Sequence, residues 1–175
     1  MILESLYFAL PIYFSNMTPV FARKTEFLNY PINTKLLGSN KTYRGFFFGV
    51  LVSILTVLLQ KYLSQIELFN QLSLLNYSEI NFFIYGFLFG FGSLTGDSIK
   101  SYFKRKIGIK PGKPWIPYDQ LDFIIGGLLF ISIVYIPSIK VIIILLLFTP
   151  LLHVLTNYTG FLLGIREVKY WSTQQ

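Results

Sequence analysis

Between two long apolar runs, the chain reads GDSIKSYFKRKIGIKPGKPWIPYDQLD from Gly96 to Asp122. This stretch holds three of the eight acidic residues of the chain and its densest group of lysines and arginines. Chemistry on polyphosphates needs both kinds of residue, because carboxylate oxygens hold magnesium and cationic side chains neutralise phosphate oxygens. The apolar runs make the stretch a loop between two membrane spans, so the candidate site lies at a membrane surface.

The composition of the whole chain indicates an integral membrane protein. Of its 175 residues, 53% are hydrophobic and 18% are aromatic, which is too many to enclose in one soluble core. The chain has no cysteine, so disulfides, thiolate metal sites and cysteine nucleophiles are excluded. His153 is its one histidine, which excludes a metal site built from several histidines. We therefore predict a single all-α transmembrane domain over residues 1–175.

Five apolar runs are predicted to be membrane-spanning helices, each near the ~20 residues that cross ~30 Å of hydrocarbon. The fourth is short and would rise only roughly 24 Å, so either the bilayer thins there or the preceding loop dips into it. Pairs of glycines four residues apart, such as Gly92 and Gly96, predict close helix packing within the chain and also permit a homodimer. The runs cover about 2–21, 46–62, 80–96, 121–136 and 139–163.

The basic residues predict the orientation in the cell membrane. All of the fifteen lysines and arginines except Lys61 and Lys140 lie in the first loop, the third loop or the carboxyl-terminal tail. The second loop carries Glu67 and Glu79 instead. By the positive-inside rule, the carboxyl terminus and two functional loops, about 22–45 and 97–120, face the cytoplasm, and the amino terminus lies outside. An odd number of spans, five, satisfies this arrangement.

The third loop presents its polar residues on one side. If the third span continues as a helix beyond the membrane, the spacing i, i+3, i+4 and i+7 places four polar residues on one face. After Gly108, prolines and glycines stop the helix, so the chain returns to the membrane at Asp119 and Asp122. An acid at a membrane edge is costly, which points to function, although ion pairing with nearby lysines is the structural alternative. The residues on the shared face are Asp97, Lys100, Ser101 and Lys104.

The first loop supplies a second polar group, the segment from Gly38 to Gly45. It offers backbone, hydroxyl, amide and cationic groups just before a helix whose amino-terminal dipole favours anions. A capped helix start with a basic flank explains the same residues, and their spacing is not that of a Walker A loop. The candidate anion-binding residues are Ser39, Asn40, Lys41, Thr42 and Arg44.

These two segments resemble a known enzyme family. The pattern that runs from Ser101 through Lys104-Arg105 and Lys110-Pro-Gly to Asp119-x-x-Asp122 resembles the signature of the CTP-dependent phosphatidate cytidylyltransferases. The first loop is similar to the earlier Lys-Thr-x-x-Gly segment of that family. Over nearly the whole chain, the resemblance is closer to its compact archaeal branch, the CDP-archaeol synthases. The bacterial pattern is broken at Pro111, at 114–117 and at Gln120, so roles tied to those positions are not carried over.

The resemblance implies a magnesium-dependent catalytic domain. A lipid phosphate would attack the α-phosphorus of CTP, releasing pyrophosphate and leaving a CDP-activated lipid. In the archaeal branch, that lipid is the isoprenoid ether 2,3-di-O-geranylgeranylglycerol 1-phosphate. Mg²⁺ would be held by Asp97, Asp119 and Asp122, with Lys104 completing the catalytic set; Asp119 alternatively caps or orients the returning loop. The substrate phosphates would be bound by the first-loop residues above and by Lys100, Ser101, Arg105 and Lys110.

Other classes remain open at this point. A small cation or proton transporter would line its path with Asp97 and Asp122, but such a path rarely needs so many cations on one face, and no internal repeat is present. A CDP-alcohol phosphotransferase would show an Asp-Gly-x-x-Ala-Arg motif, which is absent. A non-catalytic assembly subunit would not require these acids. We expect no nucleic-acid partner. We expect Asn16, His153 and Asn157 to form hydrogen bonds between spans, and contact with substrate or with a ligand is the alternative.

Overall fold

A computed structural model gives the fold of residues 1–110, 113 and 115–162. Within these residues, the protein consists of six α-helices and one short turn of 3-10 helix. Arg166 and Lys169, which entered the orientation prediction, lie outside the described residues. The helices are α1 Ile2–Phe21, α2 Tyr43–Leu63, α3 Glu67–Gln71, α4 Phe82–Lys106, α5 Tyr118–Ile131 and α6 Ile139–Leu162, and the 3-10 turn is Ala22–Lys24.

The predicted spans all coincide with helices. By length and composition, α2, α4 and α6 could each cross a membrane. The α1 helix is long, but it contains Glu4 and two prolines, and α5 has only 14 residues. The predicted bounds of the fourth span, 121–136, are corrected by α5. This helix begins after Pro117, and a proline suits a helix start because it has no amide hydrogen that would need a partner. The helix ends at Ile131, where the chain turns before Pro137.

The α1 helix is the centre of the bundle and contacts α2, α4, α5 and α6. Phe8 and Ile12 of α1 are buried, and the Phe8 ring meets the ring of Phe89 of α4 edge-on at 5.2 Å. Several polar groups of α1 have partners in its neighbours; for example, the hydroxyls of Tyr13 and Thr149 of α6 are 2.8 Å apart, and the Ser15 hydroxyl donates to the carbonyl oxygen of Gly90 at 3.3 Å. Because protein surrounds much of this helix, it tolerates polar residues that a lipid-facing helix would not.

Glycines bring α4 very close to its neighbours. A Cβ atom at Gly86 would lie 2.4 Å from the Cα of Ile54 in α2, and one at Gly96 would lie 2.3 Å from the carbonyl oxygen of Asp122 in α5. Gly126 of α5 makes an equally close approach to Gly92. The predicted use of glycine pairs for packing within the chain is confirmed. The tightest α4–α5 contact therefore lies beside two of the candidate acids.

The two cationic loops lie at the same end of the bundle. The first connects α1 to α2, and the other connects α4 to α5 through residues 107–117. The predicted continuation of the third span is confirmed, because α4 runs on to Lys106 and the chain then turns at Gly108, whose φ is +79°. The connection that carries Glu67 and Glu79 lies between α2 and α4, at the opposite end.

Candidate active site

The first loop folds back on itself as an ordered hairpin. Pro31 and Thr42 form a bridge, and the amide of Ile32 donates to the carbonyl oxygen of Lys41 at 2.8 Å. This closure fixes the path of a segment that has no helix of its own. The exposed tip of the hairpin holds two of the predicted residues, Ser39 and Asn40.

Two other predicted residues of this loop make structural contacts. Thr42 caps α2, because the amide of Gly45 donates to its Oγ1 at 3.1 Å. Arg44 is 6% exposed, and its guanidinium donates to the carbonyl oxygen of Thr25 and, at 3.4 Å, to that of Arg23. These contacts fix the loop against the end of α1. Substrate binding by either residue stays a prediction.

Lys41 joins the first loop to α4. Its ammonium forms an ion pair with the carboxylate of Asp97, and the two side chains are 18% and 19% exposed. The two polar segments that the sequence places in separate loops therefore meet at one point.

Three aspartates surround the ammonium of Lys100. Its Nζ lies 3.1 Å from Oδ1 of Asp97, 2.8 Å from Oδ1 of Asp119 and 2.9 Å from Oδ2 of Asp122. We call these three carboxylates the acidic cluster. Their side chains are 19%, 14% and 5% exposed, so water screens their mutual repulsion only weakly. The ammonium at the centre offsets that repulsion and holds the carboxylates together.

Asp122 is the least satisfied member of the acidic cluster. Neither carboxylate oxygen receives a hydrogen bond of good geometry, although Oδ2 is close to the Lys100 ammonium. A buried carboxylate with so few donors is costly. Both oxygens therefore keep lone pairs for a further cation.

Asp119 organises the returning loop as well as the cluster. Its Oδ2 accepts a hydrogen bond from the amide of Trp115 at 2.5 Å, and both of its oxygens lie 3.1 Å from Nζ of Lys104. Lys104 also donates to the carbonyl oxygen of Lys113 at 2.5 Å. Asp119 thus has the loop-orienting contact that the sequence offers as the alternative to metal binding.

A cationic cavity of about 240 Å³ lies on the next face of α4. The Nε and Nη1 atoms of Arg105, which lines it, are buried without a hydrogen-bond partner. Three cations around a cavity of this size suit an anionic group. The lining residues are Lys35, Leu36, Tyr102, Arg105 and Lys106.

Most of the cavity could not be predicted from the sequence. The sequence predicts Arg105 as a substrate-binding residue but Lys35 only as a topogenic cation, because no local pattern brings residue 35 to α4. The remaining predicted residues lie outside both the acidic cluster and the cationic cavity. Ser101 is buried and donates to the carbonyl oxygen of Asp97 at 2.9 Å, while Lys110 is exposed beyond the end of α4. The ring of His153 packs against Phe123 at 6.1 Å, and the Asn157 side chain is outside the described part of the chain.

The donor set of the acidic cluster suits a magnesium ion. Among the described residues, no group of three or more acidic or histidine side chains forms an open cation site. In the acidic cluster, Lys100 lies between the three carboxylates. Its ammonium marks the point on which the carboxylates converge and acts there as a stand-in cation. Carboxylate oxygens are the ligands that magnesium prefers. The residues therefore fit the ion that the sequence predicts.

The protein is an apolar helix bundle with a buried group of acids and lysines at one end. This arrangement is suited to a membrane protein that binds phosphate groups. Comparison with known proteins gives the family. Residues 1–170 match the CarS-like family, described as CDP-archaeol synthase. A CDP-archaeol synthase of Methanocaldococcus jannaschii is 36% identical over 98% of both chains, and one of Thermofilum pendens is 32% identical over 95% of this chain and 80% of the relative.

A solved structure, that of an intramembrane enzyme for archaeal membrane lipid biosynthesis, is also similar. It aligns with a TM-score of 0.67 and 27% identity over 90% of this chain and 94% of that one. The chain belongs to the CarS-like family of CDP-archaeol synthases. This membership confirms the predicted enzyme class, a CTP-dependent lipid-phosphate cytidylyltransferase.

Proposed function

We propose that the protein transfers the CMP moiety of CTP to the phosphate of 2,3-di-O-geranylgeranylglycerol 1-phosphate, giving unsaturated CDP-archaeol and pyrophosphate. The observation that carries this proposal is the acidic cluster around Lys100, which lies where the two cationic loops meet. The names of the relatives support the archaeal lipid product.

The reaction requires that the lipid phosphate and CTP be aligned and that their negative charge be neutralised. An oxygen of the lipid phosphate attacks the α-phosphorus of CTP, and a new P–O bond forms there. The bond from that phosphorus to the bridging oxygen breaks, and the pyrophosphate leaves with its electron pair. Because the lipid phosphate is already an anion, no general base is required. Catalysis then rests on holding the two anions in line and on offsetting the charge that develops.

The residues that would hold Mg²⁺ are Asp97, Asp119 and Asp122. When bound, the ion neutralises charge on the nucleotide phosphates and favours release of pyrophosphate. Lys41 and Lys104 flank these carboxylates, since each is paired with one of them. Their ammonium groups are therefore positioned to bind phosphate oxygens at the edge of the cluster.

Two groups of cations suit a reaction between two phosphate-bearing substrates. One lies around the acidic cluster, and the other lines the cavity on the neighbouring face of α4. The unpartnered guanidinium atoms of Arg105 support phosphate binding in that cavity. We assign substrate binding to Lys41, Lys100, Lys104, Arg105 and Lys110, together with Ser39, Asn40, Thr42, Arg44 and Ser101.

We further propose that α1, α2, α4, α5 and α6 cross the cell membrane, with the amino terminus outside and the site facing the cytoplasm. The 14 residues of α5 rise only about 21 Å, which supports a site that lies below the headgroups. A lipid phosphate would then reach the acidic cluster while its tails stay among the exposed apolar side chains of the spans. The α4 and α5 glycines pack inside the chain, which supports a complete site in each copy of a possible homodimer.

The test is a reaction with purified protein in detergent. Labelled CTP and Mg²⁺ are incubated with the isoprenoid ether lipid phosphate, with diacyl phosphatidate or with inorganic phosphate. We expect a CDP-lipid and pyrophosphate from the isoprenoid ether lipid. Product from diacyl phosphatidate alone would replace the lipid assignment. Absence of any nucleotide–lipid product would reject the proposed reaction and reopen the transporter alternative, which family membership does not favour.

A further inference from the structure

The most unusual contact in the site is that of Lys100 with all three carboxylates of the acidic cluster. Its ammonium lies within 3.1 Å of an oxygen of each, and its side chain is 14% exposed. Lys104 is different, because among the described ion pairs it contacts Asp119 alone. Lys100 is thus the cation at the point of convergence.

An ammonium and a divalent cation cannot share this point. Both are attracted by the same oxygens, and their mutual repulsion at such a distance is strong in a poorly hydrated site. Asp97 and Asp119 have second cations in Lys41 and Lys104, but among the described ion pairs Asp122 has Lys100 alone, and neither of its oxygens has a hydrogen bond of good geometry. Asp122 therefore keeps lone pairs for a cation of higher charge.

We propose that Lys100 is the built-in counter-ion of the acidic cluster, which keeps the three carboxylates assembled before substrate arrives and leaves when a divalent cation takes its place. This inference rests on the proposed function of the cluster as a metal site. The released ammonium stays on α4 beside the phosphates that the cation attracts. One lysine therefore serves first as the partner of the acids and then as a phosphate ligand.

If a divalent cation replaces the Lys100 ammonium, removal of that ammonium should change the metal affinity of the protein measured in the absence of nucleotide. In Lys100→Met, a divalent cation no longer has to displace an ammonium, so the affinity should rise about tenfold or more. We would measure Mn²⁺ binding to the full-length protein in detergent by electron paramagnetic resonance. Lys104→Met is the matched control, because it removes a buried ammonium from the same helix that touches one carboxylate only, and its effect should be several-fold smaller.

A second measurement uses the wild-type protein, so it does not depend on the folding of a variant. Acylation of lysines by a water-soluble amine reagent, read by mass spectrometry, should label Lys100 poorly without Mn²⁺ and several-fold faster with it. Lys110, which is exposed, should react at the same rate in both conditions.

The outcomes separate this inference from the metal site itself. Equal Mn²⁺ affinity in wild type and Lys100→Met, with Lys100 labelling unchanged by Mn²⁺, would overturn the exchange while leaving a metal-binding cluster in place. If neither protein bound Mn²⁺, the exchange and the proposed metal site would both be rejected. Formation of CDP-lipid is measured separately and would still report on the reaction.

Discussion

Gly96 of α4 and the backbone carbonyl of Asp122 in α5 are packed in direct contact, because a Cβ atom at position 96 would lie 2.3 Å from that oxygen. Gly96 immediately precedes Asp97. The close approach of the two helices therefore sets the distance between two carboxylates of the acidic cluster. Packing of this kind is what small residues permit in membrane helices, where no hydrophobic effect drives association.

Gly96→Ala should therefore impair the site through the backbone. The added methyl must push α5 away, since neither the carbonyl oxygen nor the α4 backbone can yield, and overpacking of this kind costs roughly 1–3 kcal/mol. We expect a lower unfolding temperature in detergent and lower turnover per folded molecule. Ile99→Ala is the control, because the Ile99 side chain is 53% exposed on the same helix, and it should retain both properties. Wild-type behaviour of Gly96→Ala would show that the helix separation does not position the acids.

The role of the carboxylates is tested by replacing each aspartate with asparagine. Asp97→Asn and Asp122→Asn keep the shape but remove the charge that coordination of a hard cation requires. Each should nearly abolish turnover while the protein stays folded in detergent. Activity retained at saturating Mg²⁺ by either variant would remove that residue from the metal site. Asp119→Asn should also loosen the returning loop, because the carboxylate accepts the Trp115 amide.

Features that depend on local sequence could be predicted, whereas features that depend on the packing of distant segments could not. The helices, the continuation of α4 and the placement of both cationic loops at one end follow from hydrophobic runs, helical spacing, breaker residues and the distribution of cations along the chain. The position of Lys100 among three carboxylates does not follow. It depends on the α4–α5 separation that Gly96 and Gly126 allow, and that separation is a property of two helices far apart in sequence.

The cationic cavity was missed for a similar reason. Lys35 reaches α4 because the first loop is closed by its own backbone bonds and by the Lys41–Asp97 ion pair. No spacing rule describes such a path. The predicted fourth span began later than α5 does, because hydrophobicity alone does not show that Tyr118 and Asp119 form the first turn of the helix.

The orientation of the bundle is tested by cysteine labelling, which is clean because the chain has no cysteine. Cysteines introduced at Ser39 and Lys113 should react with an impermeant thiol reagent only after the cytoplasmic face is opened. One introduced at Gln71, in the opposite connection, should react in intact cells. All three positions are exposed, so burial does not limit the reaction. The reverse pattern would place the site outside, away from CTP.

Arg44 is expected to stabilise the fold of the first loop, in addition to the substrate binding proposed for it. Arg44→Ala removes the donor of these part-buried hydrogen bonds to the carbonyls of Thr25 and Arg23, which should cost about 1–3 kcal/mol of stability. We expect a lower unfolding temperature in detergent, and Arg44→Lys should rescue little of it because lysine lacks the forked donor geometry. A normal unfolding temperature combined with a raised Michaelis constant for CTP would instead support direct phosphate binding.

Lys41 provides the contrasting case in the same loop. Its ammonium pairs with Asp97 at the edge of the acidic cluster, so it can turn to a nucleotide phosphate without dismantling the hairpin. Lys41→Ala should remove a charge-assisted contact of about 1.5 to 3 kcal/mol, which is on the order of a tenfold to hundredfold loss in CTP affinity or rate. The Michaelis constant for the lipid should change less. Lys24→Ala is the matched control, since it removes an exposed cation from the same loop that has no ion pair with Asp97 among the described contacts. If CTP kinetics in Lys41→Ala, measured at fixed Mg²⁺ and saturating lipid, equalled those of the wild type, the first loop would lose its nucleotide-binding role.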